Sequence, residues 1–169
     1  MGSLFNKPQF KEEKNLLVFS PTSADIGLAH KRAKKMGTLR GSFTRGMGNM
    51  VGCLGEICVE KLLPHSKYVG NAVYSHDFVY KNKRIEVKSK SCTSVPLPDN
   101  DIYVFTRVRK DLIKAWVVGW YPTTKLLKKT KFREKGYTFK DGFVTKVSGH
   151  HIPIKKLRPA TQLLRGVYK

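Results

Sequence analysis

Residues 76–90 predict a β-hairpin, and this prediction limits how the rest of the chain can fold. Two runs rich in β-branched and aromatic residues flank a polar turn at Lys81-Asn82, which is the pattern of two paired strands. Side chains alternate between the faces of a strand, so Glu86, Lys88 and Lys90 share one face. The apolar residues between them share the other face and predict its burial. The charged face needs a separate explanation.

The pairing register decides whether the charged groups of this hairpin meet. If the Lys-Asn pair forms a two-residue loop, Tyr80 pairs with Lys83 and Asp77 lies opposite Glu86. Opposed residues in an antiparallel pair have Cβ atoms roughly 5 Å apart, and like charges there repel each other. A divalent cation would remove that repulsion. A shift of one residue would place Asp77 opposite Val87 instead. Because Lys-Asn is a weaker turn signal than Asn-Gly, the sequence leaves both registers open.

An aspartate followed on the next strand by Glu-Val-Lys resembles the signature of the PD-(D/E)XK nuclease superfamily. The resemblance implies that Asp77 and Glu86 bind Mg²⁺, for which Mn²⁺ would substitute, and that Lys88 orients or activates the attacking water. The backbone carbonyl of Val87 is expected as a further metal ligand. The chain departs from the family pattern at His76, which stands where the family has proline.

An upstream helix completes the site in many members of this superfamily. The segment Gly52–Leu63 resembles that helix, and Glu56 is its candidate acid, as a fourth catalytic residue and a possible metal ligand. On a helical wheel Glu56 and Glu60 both lie away from the centre of the apolar face, so the position of Glu56 in the site follows from the resemblance alone. We expect Glu60, one turn further on, to be solvated.

The expected fold class is α/β, with a restriction-endonuclease-like mixed central sheet whose catalytic hairpin is flanked by helices. We expect one domain over residues 1–169, with a helical part over about 1–48, a catalytic core over about 49–121 and a basic part over about 122–169. The strands Ile102–Val108 and Ala115–Tyr121 are expected beside the hairpin. Period-2 alternation puts Trp116 and Trp120 on one face, packed in the core or on the sheet.

The charge of the chain predicts a polyanionic partner. The 33 basic residues outnumber the 12 acidic ones, giving a net charge of +21 and a pI near 10.1. Nucleic acid is the first candidate, as duplex or branched DNA, and an anionic membrane surface is the second. No apolar run approaches the roughly 18 residues that span a bilayer. The basic residues are also spread along the chain, which disfavours a membrane partner.

Two basic segments are candidates for contact with DNA. A helix is predicted from Thr22 or Ser23 to Met36, and cations crowd its C-terminal half, where the helix dipole accounts for some of them. A glycine-rich loop follows at residues 39–49, either an ordinary connection or a loop that orders on DNA. The residues expected to contact DNA are Lys31, Arg32, Lys34, Lys35, Arg40, Arg45 and Lys90.

The three cysteines bear on compartment and on zinc. They are an odd number without CxxC spacing, and no secretory signal is evident. We therefore expect reduced thiols in the cytoplasm, which would be the host cytoplasm for a phage-encoded protein. Cys53, Cys58 and His65 fit no common zinc spacing, so burial of the cysteines is expected.

Function is expected to be metal-dependent endonucleolytic hydrolysis of DNA, in a small enzyme of the kind that suits a phage or mobile element. An exonuclease of the same superfamily is one alternative. The other is a non-catalytic DNA- or RNA-binding protein, in which Asp77, Glu86 and Lys88 form a surface ion cluster worth about 0–1 kcal/mol. The sequence leaves the oligomeric state open, a homodimer included.

Overall fold

The computed structural model describes residues 9–36, 47–69, 76–89, 92–93, 100–140, 142, 144–145 and 148–163. The helices are α1 (Ser23–Met36), α2 (Met47–Leu62) and α3 (Thr123–Lys129), with short 3₁₀ helices at Ile154–Lys156 and Ala160–Gln162. The first five strands are β1 (Phe10–Glu13), β2 (Leu16–Phe19), β3 (Lys67–Tyr68), β4 (Phe78–Tyr80) and β5 (Lys83–Lys88). The others are β6 (Cys92–Thr93), β7 (Ile102–Val108), β8 (Ala115–Pro122), β9 (Lys131–Arg133) and β10 (Gly149–His151).

Seven of the described strands form one mixed sheet in the order β1-β2-β8-β7-β5-β4-β3. Neighbours are antiparallel except β5 and β7, which run parallel. A second sheet of three strands has the order β6-β10-β9. The α/β class with a mixed sheet and flanking helices is therefore confirmed.

The β4–β5 hairpin forms as predicted, and of the two registers that the sequence left open it has the one with a two-residue turn at Lys81-Asn82. Tyr80 pairs with Lys83, and Phe78 pairs with Ile85. Lys81 and Asn82 have φ angles of 47° and 61°, and positive φ at both central residues is the mark of a type I′ turn. Ile85 is buried, as its alternation predicted.

The N-terminal part contains more than the predicted helix. Strands β1 and β2 form a hairpin that adds two strands to the edge of the main sheet beside β8. Helix α1 follows and ends at Met36, as predicted. Thr22 caps it, because the Thr22 hydroxyl accepts the Asp25 N–H at 3.2 Å while the Asp25 carboxylate accepts the Thr22 N–H at 2.9 Å.

The sheet has a hydrophobic core on each side, and alternation along β7 shows how they divide. Ile102 and Val104 belong to the core that α2 covers, together with Ile85 and Val87 of β5. Tyr103 and Phe105 belong to a second core with Leu126 of α3, Ile152 and Leu157. Helix α1 packs on the outer side of α2 through Ala29.

The two tryptophans of β8 do not share a face, which corrects the expectation from strict alternation. Phe105 pairs with Gly119, whereas Thr106 pairs with Val117, so Val118 is an extra residue on β8. A bulge of this kind reverses the alternation beyond it. Trp120 accordingly packs in the core beneath α2, and Trp116 packs against the opposite one.

The cysteines and the lengths of the helices were also open to prediction. Cys53 and Cys58 are free and buried, as expected. The side chain of Cys92 lies outside the described residues. In the described ranges, no helix is long and apolar enough to cross a membrane.

Candidate active site

Four side chains that the sequence singled out come together beside the hairpin. Glu56 is on α2, Asp77 immediately precedes β4, and Glu86 and Lys88 lie two residues apart on β5. Asp77 is within electrostatic reach of the other three. Glu56 likewise interacts with Glu86 and Lys88. Three carboxylates from three segments of the chain therefore lie within electrostatic reach of one amine, which Glu86 contacts directly.

Gly55 explains why α2 approaches the strands closely enough to bring Glu56 to this cluster. A Cβ at Gly55 would lie 2.3 Å from the Ser89 hydroxyl oxygen and 2.5 Å from that of Thr106. Those two hydroxyls are 3.0 Å apart and hydrogen-bonded, and Ser89 also donates to the carbonyl of Val51 at 3.3 Å. Glycine at this position thus lets the helix backbone rest directly on the ends of β5 and β7.

Asp77 does not form a regular pair with a residue of the opposite strand. Its N–H donates to the carbonyl of Ile85 at 2.9 Å, although Ile85 is already the register partner of Phe78. Its carbonyl accepts the N–H of Val69 at 2.9 Å. The Asp77 side chain reaches across to β5, where Oδ2 accepts the N–H of Val87 at 2.7 Å. The carboxylate of Asp77 is therefore fixed on β5 by a backbone hydrogen bond rather than by a regular pair with Glu86.

Burial and mutual repulsion disturb the ionisation of the acids. Burial, reinforced by the charges of Glu56 and Glu86, raises the pKa of Asp77 to about 8, although the Val87 N–H and Lys88 oppose the shift. Burial also raises the pKa of Glu56, and the charge of Glu86 adds to the effect. For both carboxyl groups, burial destabilises the ionised form more than hydrogen bonds and nearby cations stabilise it.

Lys88 is held at the centre of the cluster as a cation. Its Nζ donates to Oε1 of Glu86. Burial alone would lower the pKa of Lys88, but the carboxylates of Glu86 and Asp77 raise it above its ordinary value. The side chain of Glu86 is only 13% exposed and that of Lys88 36%, so this ion pair differs from a fully solvated one on a strand surface.

Two residues that the sequence did not assign to the site hold Glu56 in place. The hydroxyl of Tyr68 on β3 donates to Oε2 of Glu56 at 3.0 Å. The guanidinium of Arg32 lies 3.6 Å from the centre of the Tyr68 ring, and its charge opposes the rise in the pKa of Glu56 that burial causes. The sequence carries no signal for Tyr68. Arg32 follows Ala29 at i+3, a spacing that places it on the side of α1 facing α2.

Arg32 and Glu60 do not occupy the positions that the sequence suggested. The side chain of Arg32 is 13% exposed and donates to Oε2 of Glu60 at 2.7 Å. Arg32 therefore points into the fold instead of towards a DNA backbone, because Tyr68 and Glu60 hold its guanidinium between the helices. Glu60 was expected to be solvated, and its side chain is instead 31% exposed and bound by Arg32, so that expectation is wrong.

The remaining candidates for contact with DNA divide into two groups. Lys31, Lys34 and Lys35 are exposed on α1. Arg40, Arg45 and Lys90 lie outside the described residues. Three exposed lysines of the predicted set thus remain on the surface of one helix.

The donor chemistry of the cluster suits a hard divalent cation. Asp77, Glu86 and Glu56 supply carboxylate oxygens, which such ions prefer, and a cation among them would relieve the repulsion that raises the pKa values of Asp77 and Glu56. Among the described residues, no three His, Cys, Asp or Glu side chains lie arranged so that together they could hold a metal ion. The hydrogen bonds of the three acids each engage one carboxylate oxygen, and a carboxylate can bind a cation through either oxygen.

Comparisons of the chain with protein-family models, curated proteins and solved structures find no match.

Proposed function

We propose that this protein is a metal-dependent deoxyribonuclease that hydrolyses phosphodiester bonds within DNA. One observation carries the proposal. Three carboxylates, Glu56, Asp77 and Glu86, lie within electrostatic reach of one another and of Lys88. Their burial and mutual repulsion make the ionised forms of Glu56 and Asp77 unfavourable, which is a cost that a purely structural role would not require. Perturbed acids gathered around a lysine are a common property of catalytic sites. The resemblance to the PD-(D/E)XK superfamily assigns the same four residues to catalysis.

Each residue has a defined part in this proposal. Asp77, Glu86 and the backbone carbonyl of Val87 would hold Mg²⁺, with Glu56 as a further or water-mediated ligand, and Mn²⁺ would replace it. Such a cation, when bound, stabilises negative charge on a phosphate and lowers the pKa of a coordinated water. Lys88 donates hydrogen bonds and, next to Glu86, positions a water for in-line attack. Tyr68 holds the Glu56 carboxylate by a hydrogen bond, and both Tyr68 and Arg32 oppose its protonation.

The fold around the hairpin supports a restriction-endonuclease-like arrangement. The β4–β5 hairpin lies inside the main sheet, β5 is flanked by the parallel strand β7, and α2 brings an acid to the hairpin from one side. That combination is the setting in which this superfamily carries its site. The proposal of a restriction-endonuclease-like fold rests on this arrangement and on the motif.

The net charge of +21 supports DNA as the substrate. Cations on the surface supply affinity for the phosphate backbone without reading sequence, and Lys31, Lys34 and Lys35 on α1 are proposed to take part. An endonuclease is preferred to an exonuclease because basic residues spread along the whole chain suit a duplex or branched substrate held from several sides. The two buried free cysteines suit a reducing cytoplasm.

The rival function is binding of DNA or RNA without catalysis, which the charge supports equally. It requires the cluster to be an ordinary surface ion pair. The low exposure of Glu86 and the raised pKa of Asp77 weigh against this, because a solvated pair would cost neither burial nor repulsion.

A cleavage assay on three substrates separates these functions. Supercoiled plasmid, linear duplex and a four-way junction are each incubated with Mg²⁺, with Mn²⁺ or with EDTA. We expect nicked or linear plasmid with either metal ion and intact plasmid in EDTA. Loss of the linear duplex with the supercoiled plasmid intact would indicate an exonuclease. Binding without cleavage under every condition would leave the non-catalytic function.

A further inference from the structure

The proposed nuclease site does not use the second sheet, β6-β10-β9, which carries two exposed aromatic rings. Phe132 on the edge strand β9 is 52% exposed, and Tyr137, in the turn that follows, is 38% exposed. Large aromatic rings that remain exposed on a small sheet suggest a binding partner, and the groups around them indicate its chemistry.

The turn that presents Tyr137 is rigidly built. The hydroxyl of the buried Thr145 donates to the carbonyl of Glu134 at 2.5 Å and accepts the N–H of Tyr137 at 2.9 Å. The N–H of Gly136 donates to the Thr145 carbonyl at 2.8 Å, and the Thr145 N–H donates to the Tyr137 carbonyl at 2.9 Å. Gly136 has a φ of +88°, a conformation in which glycine is favoured. A tyrosine exposed on such a turn has already lost most of its backbone freedom.

Other rings and a guanidinium surround Tyr137. The guanidinium of Arg133 lies 4.2 Å from the centre of the Tyr137 ring. Phe139 contacts that ring edge-on with centroids 5.0 Å apart, and His151 lies 5.3 Å beyond Phe139. Arg133 therefore covers one face of the Tyr137 ring, and a nucleobase would stack on the other face, as bases do on aromatic side chains of proteins that bind single strands.

Phe132 is supported in a similar way, but on the opposite face of β9 from Arg133, because adjacent strand residues point to opposite faces. Its register partner across β9 and β10 is His150, and the two rings meet edge-on with centroids 5.3 Å apart. The Nδ1 of His150 is in turn hydrogen-bonded to the hydroxyl of Thr130 at 3.0 Å. The histidine therefore fixes the inner edge of the Phe132 ring and leaves the rest of it accessible.

The charge around the two rings decides what kind of partner fits them. The segment from Pro122 to Lys169 contains 13 basic residues and only two acids, Glu134 and Asp141. Lys131, Arg133 and Lys135 directly neighbour the rings along the chain. A second copy of the protein would bring the same positive charge to the contact, which repels, whereas a polyanion is attracted.

We propose that the edge of this sheet, with Tyr137 and Arg133 on one face of β9, Phe132 on the other and the neighbouring lysines beside them, binds single-stranded nucleic acid. Unpaired bases stack on Tyr137 and Phe132, and Lys131, Arg133 and Lys135 contact the phosphates. Bases inside a duplex are already stacked on one another, so these rings select unpaired segments. The choice of DNA rests on the proposed nuclease function, and the surface would direct that nuclease to substrates with an unpaired segment, such as frayed or branched DNA.

The test measures binding in EDTA, so it does not depend on cleavage. Fluorescence anisotropy follows a labelled oligothymidine and a labelled duplex of the same length with the wild type, Tyr137→Ala and Phe132→Ala. Each alanine variant is expected to lose about 5- to 150-fold in affinity for the single strand, the range measured for one stacked base, with little change for the duplex. The conservative variants Tyr137→Phe and Phe132→Tyr keep a ring and are expected to retain affinity.

Ile113→Ala is the matched control, because Ile113 is also a large exposed apolar residue, 56% exposed, in the turn between β7 and β8. It should bind both ligands like the wild type. Equal losses for single strand and duplex, or no loss in either alanine variant, would overturn the proposal. So would a dimer in sedimentation that the alanine variants dissociate, since the rings would then be covered by a second copy. An active nuclease that fails this binding test refutes the surface alone, and single-strand binding without cleavage refutes the nuclease alone.

Discussion

The backbone N–H of Val87 donates a 2.7 Å hydrogen bond to Oδ2 of Asp77 and thereby ties the start of β4 to the middle of β5. Such a bond favours the ionised carboxylate. Burial and the charges of Glu56 and Glu86 nevertheless outweigh it and raise the pKa of Asp77 to about 8. The cluster is thus held together against its own electrostatic preference, which is expected of groups retained for function.

Stability in the metal-free protein should therefore fall as the pH rises from about 4 to about 8. Across that range the folded state keeps a proton on Asp77 that the unfolded chain, with an ordinary pKa of 3.8, has released. The contribution of the Asp77 proton to folding stability is complete below the ordinary pKa of 3.8 and is lost as the pH rises through about 8. Asp77→Asn removes this dependence while its side-chain oxygen still accepts from Val87. In urea unfolding in EDTA at pH 8, the variant should be more stable than the wild type by about 0.5–2 kcal/mol.

Asp111→Asn is the control for this pH dependence. Asp111 is an exposed aspartate whose pKa is lowered, chiefly by the hydrogen bond from Arg109, so its contribution is lost towards low pH instead. This variant should keep the wild-type loss of stability between pH 5 and pH 8. A wild type whose stability is constant over that interval would contradict the high pKa of Asp77.

Lys88→Ala should abolish cleavage and leave binding almost intact. Lys88 is the amine inside the cluster, and a group that positions or activates the attacking water contributes about 10²- to 10⁴-fold to rate. Affinity for DNA depends on many cations, so one of them changes it little. The two quantities are measured by plasmid cleavage in Mg²⁺ and by anisotropy in EDTA. Lys83→Ala changes an exposed lysine on the same strand and should leave both unaltered; equal loss in both variants would remove Lys88 from catalysis.

Glu56→Gln should reduce cleavage by a graded amount, about 10- to 100-fold, as expected for a residue that supports a metal ion indirectly. Glutamine retains an oxygen for the Tyr68 hydroxyl, so the lesion is the loss of charge and not of position. Raising Mn²⁺ should therefore restore part of the activity. Glu60 cannot serve as the control, because it binds Arg32. The exposed Glu12 on β1 can, and Glu12→Gln with the same loss as Glu56→Gln would exclude Glu56 from the site.

The features that the sequence predicted well depend on local geometry. The hairpin and the position of its turn at Lys81-Asn82 were predicted, whereas the sequence left two registers open and the structure has the one in which Tyr80 pairs with Lys83. Alternation then identified which residues of β5 are buried. The end of α1 at Met36 followed from the glycine after it. Each of these predictions needs only a few neighbouring residues.

The features that it could not predict depend on contacts between distant segments. Tyr68 meets Glu56 and Arg32 because β3, α2 and α1 converge, and no pattern within any of the three predicts the others. The extra residue Val118 is marked only by Gly119 beside it, a weak bulge signal that strict alternation does not use, so Trp116 and Trp120 were placed on one face. The pairing of β10 with β6 and β9 joins segments far apart in the chain, and the aromatic surface was missed with it.

Changing Lys34 and Lys35 together to alanine should weaken binding to DNA and flatten its salt dependence. Both are exposed near the end of α1. Each phosphate contact that is lost lowers the slope of log K against log salt by about 0.9 for duplex DNA. Binding is measured in EDTA across a salt series. The double change Lys11→Ala and Lys14→Ala in the exposed β1–β2 hairpin removes the same charge elsewhere. An equal effect of the two double variants would mean that net charge matters and the face of α1 does not.

Gly55 offers the most direct test of how the fold assembles the cluster. A methyl group at this position would overlap the hydroxyls of Ser89 and Thr106, which bond to each other and lie at the ends of β5 and β7. Thr106 is fully buried, so it has no room to move aside. Gly55→Ala should therefore destabilise the protein by about 1–3 kcal/mol, the usual cost of overpacking, and push α2 away from the strands. Cleavage should fall in the variant even at temperatures where it is folded, because Glu56 moves with the helix.

Gly52→Ala is the matched control one turn earlier in α2. A Cβ there meets nothing within 4 Å, so the substitution only replaces glycine by a better helix former and should stabilise the protein by about 0.4–1 kcal/mol. Urea unfolding and plasmid cleavage of the two variants separate helix propensity from close approach. Opposite signs of the change in stability, with cleavage lost only in Gly55→Ala, are the expected result. A Gly55→Ala protein as stable and active as Gly52→Ala would mean that α2 does not depend on this contact to bring Glu56 to Asp77 and Lys88.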